Sequence, residues 1–263
     1  MTHQSFRGFL AGGAALAVGL VTLSLAGPAP SSDDPALVMV ERAIAAHGGA
    51  DALAEQQALT VRAKGYTRTS STENPTEPFT SHSTRLLPDK LRQEIRVGME
   101  RGEDEPEPAD YIVVVNGDKG WMRTGGQVYE LTGAPLAAWQ LELWVMQVSS
   151  LLPLKDPTVK LRLVAEEWLP AHETLIVQHP KQPEVRLSFD KKTALLAKTE
   201  YRTTNAAGTP IQQENFYDQF KKVGGVQRFH HYTVRRDGEP FVEAEVLEYK
   251  PARTADPKLF AKP

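Results

Sequence analysis

The side chains that could carry chemistry in this sequence are those of His, Asp, Glu, Ser, Thr, Tyr and Lys, because the 263-residue chain contains no Cys. Thiol nucleophiles, disulfides, Cys-ligated zinc and iron–sulfur clusters are therefore excluded together. Serine nucleophiles need a hydroxyl held on a strained turn beside a base, and no Gly-x-Ser-x-Gly string occurs. Ser149 and Ser150 lie inside an apolar segment, where packing or a bond back to the preceding turn is expected. A metal needs His and carboxylates at ligand spacing. His47, His82, His172 and His179 stand apart, and there is no His-Glu-x-x-His string. Glu166 and Glu167 are adjacent, so in a strand they face opposite ways and cannot share proton transfer. Gly48-Gly49 lacks the further glycines and the Lys-Ser of a phosphate cradle.

The last hairpin offers one acid–base pair. His230 and His231 point to opposite faces of a strand. If Asp237-Gly238 forms a two-residue turn, Val234 falls opposite Phe241, Tyr232 opposite Glu243 and His230 opposite Glu245. The other face then carries Phe229 with Val246, His231 with Ala244 and Thr233 with Val242, and it is the face expected to pack. His230 beside Glu245, with Arg228 one step along, could exchange a proton; the plainer reading is a cross-strand charge ladder.

The elements that must position these residues begin after an N-terminal export signal. His3 and Arg7 precede an uncharged run over 9–26, and Ser24 and Ala26 supply the small residues of a cleavage site. The expected division is a signal peptide at 1–26, a flexible leader at 27–35 and one domain at 36–263. An uncleaved anchor is the competing reading, because 18 apolar residues sit at the lower limit for spanning a bilayer. Either way the location is the periplasm or another extracytoplasmic space.

Asp33, Asp34 and Pro35 signal a helix start, and Leu37, Val40, Ile44 and Ala45 continue it to His47-Gly48-Gly49. A short second helix is expected from Ala50 to about Gln56. From Leu59 onward short alternating runs are punctuated by turn signals, among them Pro88-Asp89, Asn116 to Gly120, Gly125-Gly126, Gly224-Gly225 and Asp237-Gly238. About twelve antiparallel strands are expected, with an acidic loop at 100–110.

One segment breaks the pattern. Residues 134–152 are apolar around most of a helical wheel, with Leu136, Trp139, Leu143 and Met146 on one sector and Leu141, Trp144, Val145, Val148 and Leu152 on another. Only the seams Gln140 with Gln147 and Glu142 with Ser149 are polar. Such a helix must be covered on most sides. A sheet of about twelve strands curls, so the expected fold is α+β, mostly β: one strongly curved antiparallel sheet, an incomplete barrel, with helices packed on its concave face. The composition, 41% hydrophobic and 24% charged with a net charge of −3, is that of an ordinary globular protein and gives no footprint for nucleic acid.

The strings Val115-Asn116-Gly117-Asp118-Lys119-Gly120-Trp121, Leu187-Ser188-Phe189-Asp190 leading to Leu195 through Glu200, and Asp256-Pro257-Lys258-Leu259-Phe260 resemble the LolA/LolB-like outer-membrane lipoprotein-sorting proteins. With the His47-Gly48-Gly49 helix end and the export signal, the resemblance spans 36–263. It implies an acyl-chain cavity capped by helices, no metal, no cofactor and no covalent chemistry. The N-terminal lipidated Cys of the membrane-anchored member is missing, and no individual functional residue carries over.

The leading expectation is a non-enzymatic carrier whose cavity is lined by Leu136, Trp139, Leu143 and Met146, with a lipid or lipoprotein acyl chain as partner. Transient membrane contact and a monomer go with it. The alternatives are a lipid-sensing regulatory module that binds an envelope protein, and an envelope enzyme.

Overall fold

The structure is a computed structural model that describes residues 34–68, 76–98, 110–165, 170–205 and 208–263. The expected signal peptide, most of the leader, the acidic loop up to residue 109 and the Glu166 and Glu167 pair lie outside the described residues. Among the described residues no helix is long and apolar enough to cross a membrane.

Asp34 caps the first helix, α1 (Pro35–Ala46), by accepting the Ala36 N–H at 2.9 Å, and Pro35 opens it where no amide partner is needed. Gly48 and Gly49, at φ 122° and 92°, turn the chain into α2 (Ala50–Ala54). The strands β1 (Ala58–Arg68), β2 (Thr76–Leu86), β3 (Lys90–Val97), β4 (Tyr111–Asn116), β5 (Lys119–Thr124) and β6 (Gln127–Leu131) form an antiparallel meander. Next comes α3 (Gly133–Ser149) and a 3-10 turn at Leu152–Lys155. A second meander holds β7 (Lys160–Val164), β8 (His172–His179), β9 (Gln182–Asp190), β10 (Leu196–Thr204) and β11 (Pro210–Asp218). The short strands β12 (Lys221–Val223) and β13 (Val226–Arg228) make a separate ribbon, followed by β14 (His231–Arg236) and β15 (Glu239–Ala252).

Because β15 pairs with β14 on one side and β1 on the other, the two meanders fuse into a single 13-stranded sheet with edges β6 and β7. The sheet stays open, as an incomplete barrel should. The sheet thus agrees with the expected count of about twelve strands, and β12 and β13, three residues each with only Val226 buried among them, stand apart as the ribbon.

Alternation decides which face is inner. Leu175, Val177, Val185, Leu187 and Phe189 on β8 and β9 share one face and are fully buried with the apolar stripe of α1 and with Leu141, Trp144, Val145 and Val148 of α3. On β4, Val113 and Val115 face inward toward Leu143, whereas Ile112 and Val114 face outward and are covered by Phe260 of the C-terminal turn Pro257–Phe260. Burial on both faces explains why β4 reads as a continuous apolar run.

The helix α3 ends three residues before the expected limit. Ser150 caps it, Leu151 takes φ 74°, and Pro153 bars an α conformation at the residue before it. The β14–β15 register also differs from expectation. The Asp237-Gly238 turn is present, with both residues at positive φ, but a bulge between Val234 and Arg235 sets Val234 opposite Val242, Thr233 opposite Glu243, Tyr232 opposite Ala244 and His231 opposite Glu245. Phe241 is the extra residue, next to Pro240, which has no amide proton for the ladder. The packed face is therefore that of Tyr232, Val234, Val242 and Ala244.

Candidate functional site

Helix α3 is a beam laid across the concave face, and it packs chiefly on β4, β9 and β10, with α1 on β7. Its two apolar sectors meet two different parts of the sheet. Leu136, Trp139 and Leu143 join Leu91, Val113, Val115 and Leu131, with Leu143 only 2% exposed, while the second sector joins α1, β8 and β9. Met146 is half-buried and belongs to neither cluster. Of the four side chains expected to line a cavity, three are thus placed together against β3 to β6, and the fourth stands at the inner seam.

Between the two flanks the floor changes character. On the inner face of β1, β2, β3, β14 and β15, the side chains Val61, Ser81, Ser83, Ile95, Val234 and Val242 are half-buried, whereas Ala63, Phe79, Ala244 and Val246 on the same face are buried. On the flanking strands β8 and β9, Leu175, Val177, Val185, Leu187 and Phe189 are fully buried. The central strands therefore present an inner face that is buried in part and half-buried in part.

The two polar seams of α3 have separate destinations. Gln140 donates to the Gly117 carbonyl at 3.0 Å and, with Gln147, Leu143 and Trp144, borders a groove of about 610 Å³ next to the turn at Lys181 and Pro183. Trp144 closes one side by donating to the Pro183 carbonyl at 3.2 Å. The opposite seam is aimed at the sheet. There Tyr201 donates to the Glu142 carboxylate at 2.6 Å, and the Gln213 amide donates to both Glu142 and the Tyr201 oxygen. Asn215 links Tyr201 to Thr199, and Thr199 bonds Tyr217 at 3.0 Å. Arg236 donates to Gln213 at 3.2 Å. Burial pushes the Glu142 carboxyl above its ordinary range, against the hydrogen bond from Tyr201 and the Arg236 charge. This network was missed from sequence, although Glu142 is the only charged residue within the otherwise uncharged α3.

A second polar cluster lies farther along the inner face. Arg85 on β2 pairs in register with Leu59 and Leu91, both buried, so its side chain is on the concave face. Around it are Tyr217, Tyr249 and Arg228. Phe229 stacks on Tyr217 at 4.6 Å between ring centroids and meets Tyr232 and Tyr249 edge-on. Burial pushes the Tyr217 and Tyr232 phenols up to about 12. The ribbon carrying Arg228 is docked by the α1–α2 elbow: Gln56 donates to the Val223 and Gly224 carbonyls, and Gln227 donates to the His47 carbonyl. His47 itself is held neutral. Its pKa is lowered by burial, its Nδ1 lies 2.8 Å from the Ala43 carbonyl and its Nε2 accepts the Leu196 amide at 3.4 Å.

The expected His230–Glu245 pair does not form. The bulge moves His231, not His230, opposite Glu245, and His231 bonds Asp218 and Glu243 on the outer face. Burial lowers the His231 imidazole, but those carboxylates outweigh it and leave its pKa raised. His230 turns inward, edge-on to Tyr249 at 5.4 Å, with its Nδ1 near the Arg228 carbonyl. Ser150 bonds back to the Gln147 carbonyl at 2.6 Å, as expected for a helical serine. Among the described residues no group of three or more His, Asp or Glu is arranged to hold a metal.

No protein-family model matches the chain, and no curated protein does. Among solved structures, the chain is similar to a LolA superfamily protein from Nitrosomonas europaea, at 11% identity over 86% of this chain and 97% of that one, with a TM-score of 0.53. It is also similar to a DUF1329 family protein from Desulfovibrio piger, at 14% identity over 87% and 98% of the two chains, with a TM-score of 0.50. The fold is LolA-like.

Proposed function

We propose that this protein is an extracytoplasmic carrier of lipid or lipoprotein acyl chains, acting without catalysis, and that residues 1–26 are removed as its signal peptide. The observation that carries this reading is the contrast along the concave face. Helix α3 is packed at both flanks in two buried clusters, while Val61, Ile95, Val234 and Val242, on the inner face of the strands toward the middle of the sheet, are half-buried. A LolA-like scaffold supports the same reading.

In this reading the acyl chain lies over the central strands with Met146 facing it, and Leu136, Trp139 and Leu143, packed against β3 to β6, close one end of the space. Met146 is the adaptable member, since its unbranched thioether can repack around chains of different length. Each methylene taken from water contributes ~0.8 kcal/mol, so about ten of them reach micromolar affinity before ordering costs. Affinity would then depend on chain length more than on charge.

The test is lipid extraction and native mass spectrometry of gently purified protein, followed by uptake of a fluorescent fatty acyl probe. Co-purified lipid, and uptake that Met146→Trp abolishes by filling the space, support the carrier. Empty protein that takes up no probe overturns it. Intact mass of the exported chain tests the leader: retention of residues 1–26 removes that part of the proposal.

A further inference from the structure

Arg85 and Arg228 stand out because no carboxylate among the described residues pairs with either of them. Arg85 has no hydrogen bond or ion pair among the described residues, although it sits half-buried on the concave face between buried Leu59 and Leu91. Arg228 donates one bond, at 2.8 Å to the neutral Gln56 amide oxygen, and its Nε is buried with no partner. Other neighbours are phenols and rings, those of Tyr217, Tyr249 and His230. His47, whose pKa the Arg228 charge also lowers, is neutral. The carboxylate nearest in the network, Glu142, is already committed to Tyr201 and Gln213. The acids Glu243, Glu245 and Glu248 alternate onto the outer face.

Two partly desolvated cations held together without a counter-charge are costly, because each loses hydration and repels the other. Burial and the Arg85 charge together pull the Arg228 guanidinium down to about 10. An arginine fork matches two oxygens of one oxyanion, and two forks match a phosphate. The two arginines also belong to different elements. Arg85 comes from β2 of the sheet, whereas Arg228 comes from the ribbon docked on the α1–α2 elbow. A single anion would bridge them.

We infer that this end of the concave face is a binding site for a phosphate group, held between Arg85 of β2 and Arg228 of the β12–β13 ribbon. The Tyr249 hydroxyl is already used, donating to the Phe229 carbonyl at 2.5 Å, which keeps the aromatic wall in place beside the anion. The phosphate could arrive on a lipid headgroup or as free phosphate. The headgroup version rests on the carrier reading; the free-phosphate version does not.

The experiment compares three probes on the full mature chain: inorganic phosphate, a monoacylglycerol, and the monoacylglycerol phosphate of the same chain length. Binding is followed by calorimetry, and by the thermal midpoint in phosphate against chloride at equal ionic strength. The expected result is that monoacylglycerol phosphate binds about tenfold or more tightly than the neutral lipid, the size of one or two charge-assisted bonds. Arg85→Gln and Arg228→Gln should each shrink that preference to about twofold without changing neutral-lipid affinity. If Arg85→Gln does not fold, Arg228→Gln and the wild-type phosphate response carry the test.

Equal binding of the two lipids with no phosphate effect overturns the site while leaving the carrier intact. A preference that survives Arg228→Gln and any folded Arg85 variant also overturns it. Failure of both lipids, with a midpoint raised by phosphate and lost on either substitution, keeps the anion site for free phosphate and removes the carrier.

Discussion

The hydroxyl of Tyr201 donates a 2.6 Å hydrogen bond to the Glu142 carboxylate, tying β10 to the inward seam of α3. Leu141, Val145 and Met146 stand on either side of Glu142 in sequence, and the first two are buried. The contact is therefore the polar pin of an otherwise apolar beam, and four predictions follow the packing of that beam and its neighbours.

Glu142→Gln is expected to stabilise the protein at neutral pH. Burial raises the folded pKa above the ordinary 4.5, so the carboxyl prefers to be protonated in the folded state. Its favourable contribution is complete below that ordinary value and is lost as pH rises through the folded one. Gln keeps an acceptor for Tyr201 without the charge. Thermal midpoints should rise by a few degrees at about pH 7 and be unchanged at about pH 4. A lower midpoint at pH 7 would show that the Arg236 charge outweighs burial.

Tyr201→Phe removes a hydroxyl that receives Gln213 and Asn215 and donates to Glu142. The loss should be about 2 kcal/mol in urea unfolding, with an unchanged m value, because a carboxylate and two amides are left short of partners. Combined with Glu142→Gln, the cost should be less than the sum of the two, since both act on one bond.

Gly48→Ala should detach the ribbon that carries Arg228. A Cβ at this position would lie 2.3 Å from the Gly225 carbonyl oxygen, and φ of 122° is itself unfavourable for alanine. Destabilisation of about 2 kcal/mol or more is expected, with amide exchange accelerating first over 221–228. Uniform exchange across the sheet would contradict this docking.

Leu143→Ala and Met146→Ala separate wall from space. Leu143 is 2% exposed within a packed cluster, so its truncation should cost about 2–5 kcal/mol. Met146 is half-buried outside both clusters, and its truncation should cost under about 1 kcal/mol while altering the acyl-chain length preferred. Equal costs at the two positions would mean that the inner seam is as filled as the flank.

The sequence determined the elements and their class. Turn residues set the strand boundaries, Asp34-Pro35 and His47-Gly48-Gly49 bounded α1, and the nearly uniform apolarity of α3 required a wrapping sheet. Those signals are local, carried by propensity, periodicity and backbone freedom. The tertiary structure alone decided which strands became neighbours and what each inward side chain met. A single bulge beside Pro240 exchanged His230 for His231 opposite Glu245, because one inserted residue flips every side chain beyond it to the other face. Likewise Glu142 with Tyr201, and Arg85 with Arg228, are 59 and 143 positions apart in sequence. No local pattern encodes such a meeting; curvature of the sheet brings it about.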